Sequence, residues 1–185
     1  RQDLAVAIEH FKKALEVLPN SAMAHFQLGR ARYGLGEWKE ARASFAKALE
    51  MSGNRVACDF QTGLAWKSEY DIDENDKAFH ESAKAFEQVH NLMPENLLLL
   101  TVMRDLYYEK QNYAKTKEFI DKSLEYAPDD INPLTLKAII AMVEKDYVTA
   151  ERIFFKLLEM GEEYGSTANT LYNLCCLYSL QNKKK

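Results

Sequence analysis

Proline and glycine are scarce in this sequence, with four and seven in 185 residues. All-β and disordered chains use far more of both, so neither class fits. Long apolar stretches are missing too. The longest run, near Leu97–Met103, is broken by Thr101 and closed by Arg104, far short of the roughly 20 residues a bilayer span needs. No signal peptide is visible in the opening residues, and Arg1 is not a natural first residue. Basic charge is not in excess: 24 Lys and Arg stand against 28 Asp and Glu, for a net charge of −4. That excludes bulk attraction for nucleic acid, which needs clustered cations. The single basic run, Lys183–Lys185, reads as a solvated helix end. Cysteine is limited to Cys58, Cys175 and Cys176. Adjacent cysteines rarely bond to each other and three cannot all pair. All three are expected as buried thiols in a reducing, cytoplasmic setting. What remains is 47% hydrophobic and 28% charged, the mixture of a folded, water-facing protein.

Motifs for chemistry are also missing. Asp71, Asp73 and Asn75 alternate as the ligands of a calcium loop do. The sharp-turn place that needs Gly holds Asp76, however, and the closing carboxylate place holds Ser82. The segment Ser68–Lys77 is therefore expected as a solvated loop between helices, capping the helix near Phe79. His10, His25, His80 and His90 have no metal-ligand spacing with one another or with the cysteines. His25 is expected in the core. Cys175–Cys176 has no base implied nearby, and no glycine-rich phosphate loop or nucleophile motif occurs. The chain reads as a non-enzyme with no metal and no cofactor.

A repeat is present. Ala7, Phe11 and Ala14 recur 34 positions later as Ala41, Phe45 and Ala48. Leu4 recurs as Trp38, and His25, Gly29 and Arg32 recur as Asp59, Gly63 and Trp66. Further on, Phe79, Tyr113 and Tyr147 keep the spacing of 34, as do Phe86, Ile120 and Phe154, and Ser82, Thr116 and Ala150. Pro94 and Pro128 also lie 34 apart. One break separates the two sets: Phe45 to Phe86 is 41, seven more than the period, and the excess falls at Ser68–Lys77. A second, of about three residues, falls at GEEYGST, since Leu134 to Leu171 is 37. A fixed period near 34 marks an array of identical structural units.

The best copy is residues 22–55, with Leu28, Gly29, Arg32, Ala41, Phe45 and Ala48 in place, His25 where tryptophan is usual and Gly53 where proline is usual. This pattern resembles the tetratricopeptide repeat family. Other copies depart from it at Thr62, Arg104 and Ser123. The resemblance implies an all-α, right-handed α-solenoid of antiparallel helix pairs, a tetratricopeptide-like superhelix. Apolar spacing such as Ile8, Phe11, Leu15 and Leu18 supports helices independently. About ten are expected, at 2–18, 21–35, 37–51, 55–69, 76–92, 96–110, 112–127, 131–145, 147–160 and 166–181. They group as one solenoid over 1–185: a half unit 1–20, units 22–55, 56–96, 97–130 and 131–167, and a half unit 168–185. Half units at both ends read as a fragment of a longer array, whose last helix, with Leu171, Leu174, Leu177 and Tyr178, lacks its partner. Gly29, Ala41 and Ala48 are expected to be small because a neighbouring helix lies against them, with Phe45 filling the gap. Gly34 and Gly36 are expected to end a helix, Pro19, Pro94 and Pro128 to sit in links, and Pro133 in a first helical turn.

In the family the first helix of each unit lines a concave face that grips a peptide or a partner helix. The resemblance therefore implies a binding row of Phe26, Arg30 and Tyr33, then Phe60, Leu64 and Lys67, then Thr101, Asp105 and Tyr108. Thr135, Ile139 and Met142 follow, and Tyr172, Cys176 and Ser179 close it. These places are expected to point away from the paired helix. Some family members clamp a C-terminal carboxylate with Lys, Asn and Arg on this row. Phe26 and Phe60 stand where such a clamp needs Lys or Asn, which argues against it. The expected partner is a protein or peptide, apolar or amphipathic, with no nucleic acid and no membrane insertion. The alternatives are a homo-oligomer formed through the incomplete ends and a regulatory helical domain of a larger enzyme.

Overall fold

The computed structural model describes residues 2–164 and 167–182. They form ten helices: α1 Gln2–Val17, α2 Ala22–Leu35, α3 Trp38–Ser52, α4 Arg55–Asp73, α5 Asp76–Leu92, α6 Leu97–Glu109, α7 Tyr113–Tyr126, α8 Ile131–Val143, α9 Tyr147–Tyr164 and α10 Thr167–Asn182. The expected ends hold to within a residue or two, except at the two register breaks. Part of GEEYGST and all of Lys183–Lys185 lie outside the described residues. By contacts the chain divides into two compact units, Arg1–Leu99 and Leu100–Lys185, with the division inside α6.

In the first unit, the α2–α3 hairpin follows from its small residues. Ser21 caps α2 by accepting from the Ala24 amide at 3.2 Å. Gly36 ends the helix at φ 85°, a left-handed turn that side chains resist. Gly34 does not share that duty. It lies inside α2, and Leu4 of α1 occupies the space a side chain would take. The glycine pair reads alike in sequence, but only the second is conformational. Ala41 and Phe45 are fully buried, and a Cβ placed on Gly29 would meet the Phe45 ring at 2.6 Å. A bare backbone is what lets α2 and α3 close on each other. Gly63 and Phe86 repeat the contact between α4 and α5, again at 2.6 Å. There Ser82, in the place of Ala41, donates its buried hydroxyl to the Gly63 carbonyl at 3.0 Å.

The insert at Ser68–Lys77 is not the expected loop. It is helix up to Asp73, and only Glu74 and Asn75 remain between α4 and α5. Asp73 is ten positions past Gly63, whereas Leu35 is six past Gly29. Asp76 is ten before Phe86, whereas Trp38 is seven before Phe45. The extra residues thus add about one turn to each helix, four to α4 and three to α5. Seven residues are two turns at 3.6 per turn, so both helices keep their faces. Buried Tyr70 and Phe79 fill the lengthened seam, ring centroids 5.6 Å apart. The expected cap is present, with Asn75 accepting from the Ala78 amide at 3.1 Å.

In the second unit, Leu134, Ala138, Ala150, Phe154, Leu174 and Leu177 form one core among α8, α9 and α10. Pro133 is buried in the first turn of α8, where its missing donor is not needed. Tyr107 of α6 stacks on Phe119 of α7 at 5.7 Å. Gln111 and Lys145 turn out of α6 and α8 at φ 56° and 66°. They do the work of Gly36 despite carrying side chains.

Two cysteine expectations fail. Cys58 is buried, but Cys175 is exposed and Cys176 only half-buried. Helix α10 covers one face alone. Leu174 and Leu177 take it, and the cysteines fall on the flanks.

Candidate partner-binding surface

In the first unit, Arg30 and Tyr33 of α2 and Leu64 of α4 line one groove of about 470 Å³. Leu4, Ala7 and Phe11 of α1 form its apolar wall. The Tyr33 hydroxyl is held 3.0 Å from Ser68 Oγ, which fixes its ring. Arg30 is exposed, and its Nη1 donates to Gln27 Oε1 at 3.4 Å. Lys67, one turn past Leu64, is turned to Asp71 at 2.8 Å.

Phe26 and Phe60 depart from expectation. They do not point away from the paired helix. The Phe26 ring leans on Phe45 at 5.6 Å, and Phe60 leans on Phe86 at 5.8 Å. An aromatic beside the glycine row gains more by covering its neighbour's ring than by standing in water. Phe26 instead walls a separate apolar cavity of about 360 Å³ with Met23, Ala48, Ala57 and Cys58. Burial pushes the Cys58 thiol above its ordinary pKa, with nearby Asp59 adding to it. That thiol is a packing group, not a nucleophile.

In the second unit, Thr135 and Ile139 of α8 line a cleft of about 280 Å³ with Asn169, Thr170 and Asn173 of α10. Tyr172 is exposed on α10. Asp105 is held by neighbouring Arg104 at 2.8 Å, and Tyr108 lies against Tyr113 with centroids 6.1 Å apart. Thr101 is half-buried on α6.

The sequence reading missed Gln27 and Gln61, which line the groove beside Arg30 and Leu64. Their spacing was available, since they lie 34 apart, each one place after Phe26 and Phe60. His25, in the usual tryptophan place, is buried as expected, its Nε2 2.9 Å from the Pro19 carbonyl in the preceding link. Among the described residues, no group of three or more His, Cys, Asp and Glu is placed to hold a metal. No described helix is long and apolar enough to cross a membrane.

The family model described as tetratricopeptide repeat matches residues 22–55, the hairpin built on Gly29 and Phe45. That hairpin is a tetratricopeptide repeat. Its fold agrees. A tetratricopeptide repeat protein from Parabacteroides merdae ATCC 43184 superposes with a TM-score of 0.75 at 21% identity, covering 98% of this chain and 68% of that one. MamA superposes at 0.73 and 20% identity, over 89% of this chain and 92% of its own. PilF from Pseudomonas aeruginosa follows at 0.63 and 18%, over 90% and 72%. These likenesses show the all-α tetratricopeptide solenoid fold. No curated protein matches the sequence. Tetratricopeptide proteins are in general protein-interaction scaffolds rather than enzymes.

Proposed function

We propose that this chain is a protein-interaction scaffold that holds a partner segment in the groove of its first unit. One observation supports this above others: α1, α2 and α4 jointly leave an open groove of about 470 Å³ with an apolar wall and a polar one. Leu4, Phe11 and Leu64 supply area, while Arg30, Gln27, Gln61 and Tyr33 supply direction. The partner is a protein or peptide of amphipathic character, and the chain itself catalyses nothing.

Affinity capture tests this. Proteins retained from a native extract by the immobilised chain are compared with those retained by Leu64→Asp plus Tyr33→Ala, after circular dichroism confirms an unchanged helix content. Retained proteins should be lost from the double variant. An identical set on both columns would remove the groove from the function.

A second reading, self-association, is favoured by α10, where Leu171 and Tyr172 are 52% and 69% exposed. Light scattering across concentration separates the two, because a strict monomer at high concentration excludes it.

A further inference from the structure

The apolar cavity of about 360 Å³ among α2, α3 and α4 shares only Gln27 with the groove. Small residues make room for it. Ala48 of α3 and Cys58 of α4 line it, and each has a counterpart 41 positions later. Those counterparts are Val89 and Leu99, larger side chains that are 1% and 0% exposed. Space is thus left at two places where the next copy packs a valine and a leucine. A close-packed interior does not normally keep such a space. Met23, which also lines the cavity, is 67% exposed, so the cavity reaches solvent.

The lining narrows the occupant. Among the described residues, none that lines the cavity is charged. An ionised ligand would leave water there and meet no counter-charge. The polar side chains are already engaged within the chain. Gln27 donates to Met23 Sδ at 3.7 Å and accepts from Arg30 at 3.4 Å. Ser52 Oγ donates to the Ala48 carbonyl at 2.7 Å, and Asn54 Oδ1 accepts from the Ala57 amide at 3.3 Å. A peptide main chain laid there would give up hydrogen bonds to water without replacing them. An apolar molecule gives up none. The walls suit a ring, since the Phe26 side chain and the Met23 thioether both favour aromatic contacts. An apolar cavity of about 150 Å³ holds one benzene. A cavity of about 360 Å³ therefore has room for about two fused rings.

We propose that this cavity is a binding site for a small, uncharged aromatic molecule, seated between Phe26 and Met23 in the space that Ala48 and Cys58 leave open. The volume and the mainly apolar lining are those of a small-molecule site. The site is independent of the groove and of any protein partner held there.

The probe is 2-naphthol, with 2-naphthalenesulfonate as its charged counterpart. Titration calorimetry against the whole chain should show one saturable site for 2-naphthol, with the sulfonate weaker by on the order of tenfold or more. Ala48→Val plus Cys58→Leu installs the side chains of the next copy. With helix content unchanged by circular dichroism, that variant should lose binding by a similar factor. Leu64→Asp plus Tyr33→Ala, which alters the groove, should bind 2-naphthol as the parent chain does. On the parent chain itself, saturating 2-naphthol should slow labelling of Cys58 by a disulfide reagent and leave Cys175 unaffected, a result that needs no variant to fold. Absence of a saturable site, equal affinity for the sulfonate, full binding by the filled variant, or unchanged labelling of Cys58 overturns the inference. So does loss of extract proteins from a column of the filled variant, which would make the cavity a socket for a partner's side chain. If the groove variant loses its extract proteins while 2-naphthol finds no site, the cavity is empty space and the scaffold reading stands.

Discussion

A Cβ on Gly29 would stand 2.6 Å from Cε1 of Phe45, closer than two carbons approach without something moving. The Phe45 ring has little freedom to yield, since it is fully buried and Phe26 leans on it at 5.6 Å. The close approach of α2 and α3 at this point requires that missing methyl group.

Gly29→Ala is therefore expected to destabilise the chain. Overpacking a tight contact costs about 3 kcal/mol at the upper end, and alanine returns about 1 kcal/mol of helix propensity. The net loss is about 2 kcal/mol. Adding Phe45→Leu should recover more than half of it, because the close atoms belong to the Phe45 ring and not to the α3 backbone. Urea midpoints of the two single variants and the double variant decide this, and strict additivity would sink it.

Gly34 and Gly36 should respond differently. Gly36 has φ 85°, so Gly36→Ala forces a side chain into left-handed backbone at about 1–2 kcal/mol. Gly34 is helical and meets only the movable end of Leu4, so Gly34→Ala should be close to neutral. Thermal midpoints of the two variants should differ by several degrees. By the same logic Gln111→Gly and Lys145→Gly relieve positive φ at 56° and 66° and should raise the midpoint.

Thiol chemistry should separate the three cysteines. Cys175 is exposed and Cys58 is buried, with its thiol held protonated by burial. In the native chain Cys175 should react with a disulfide reagent on the order of tenfold faster or more than Cys58. Cys58 should be released only by denaturant. Mass spectrometry of the labelled peptides reads the order, and early labelling at Cys58 would contradict its packing role.

Glu118 should give the acid limb of stability a small, assignable share. Lys115 and Lys122 each lie 2.9 Å from its carboxylate, and their hydrogen bonds pull its pKa below the ordinary carboxylate value. A lowered folded pKa stabilises above the unfolded value and loses that contribution as pH falls through the folded value. Glu118→Gln should thus cost about 0.5 kcal/mol at pH 7, the scale of an exposed pair. The difference should shrink as pH falls through the folded value. A constant difference across that range would mean that packing, not charge, is responsible.

Much of the fold is legible in the sequence, and the reason is local. Glycine, alanine and an aromatic at a fixed period of 34 name the contact between paired helices, so Gly29, Ala41, Phe45 and their copies at Gly63, Ser82 and Phe86 could be read directly. The insert was harder. Its acidic residues look like a solvated loop, yet seven residues complete two helical turns, and Tyr70 on Phe79 rewards their forming. Its count carried the answer where its composition misled.

The binding row shows the other limit. A helix face can be listed from spacing, but which neighbour a half-buried ring leans on depends on what crosses it. Phe26 and Phe60 share a face with Arg30 and Leu64, and still turn onto Phe45 and Phe86 because those rings lie within reach. Gly34 and Gly36 are two positions apart, yet one lies inside α2 beneath Leu4 of α1 and the other turns left-handed to end the helix. Period and composition settled by themselves that helices pair, where they pair and which small residues allow it, because those contacts recur at one spacing. Which side chains face the open groove was left to the tertiary structure, because α1, α2 and α4 meet there only once the chain has folded.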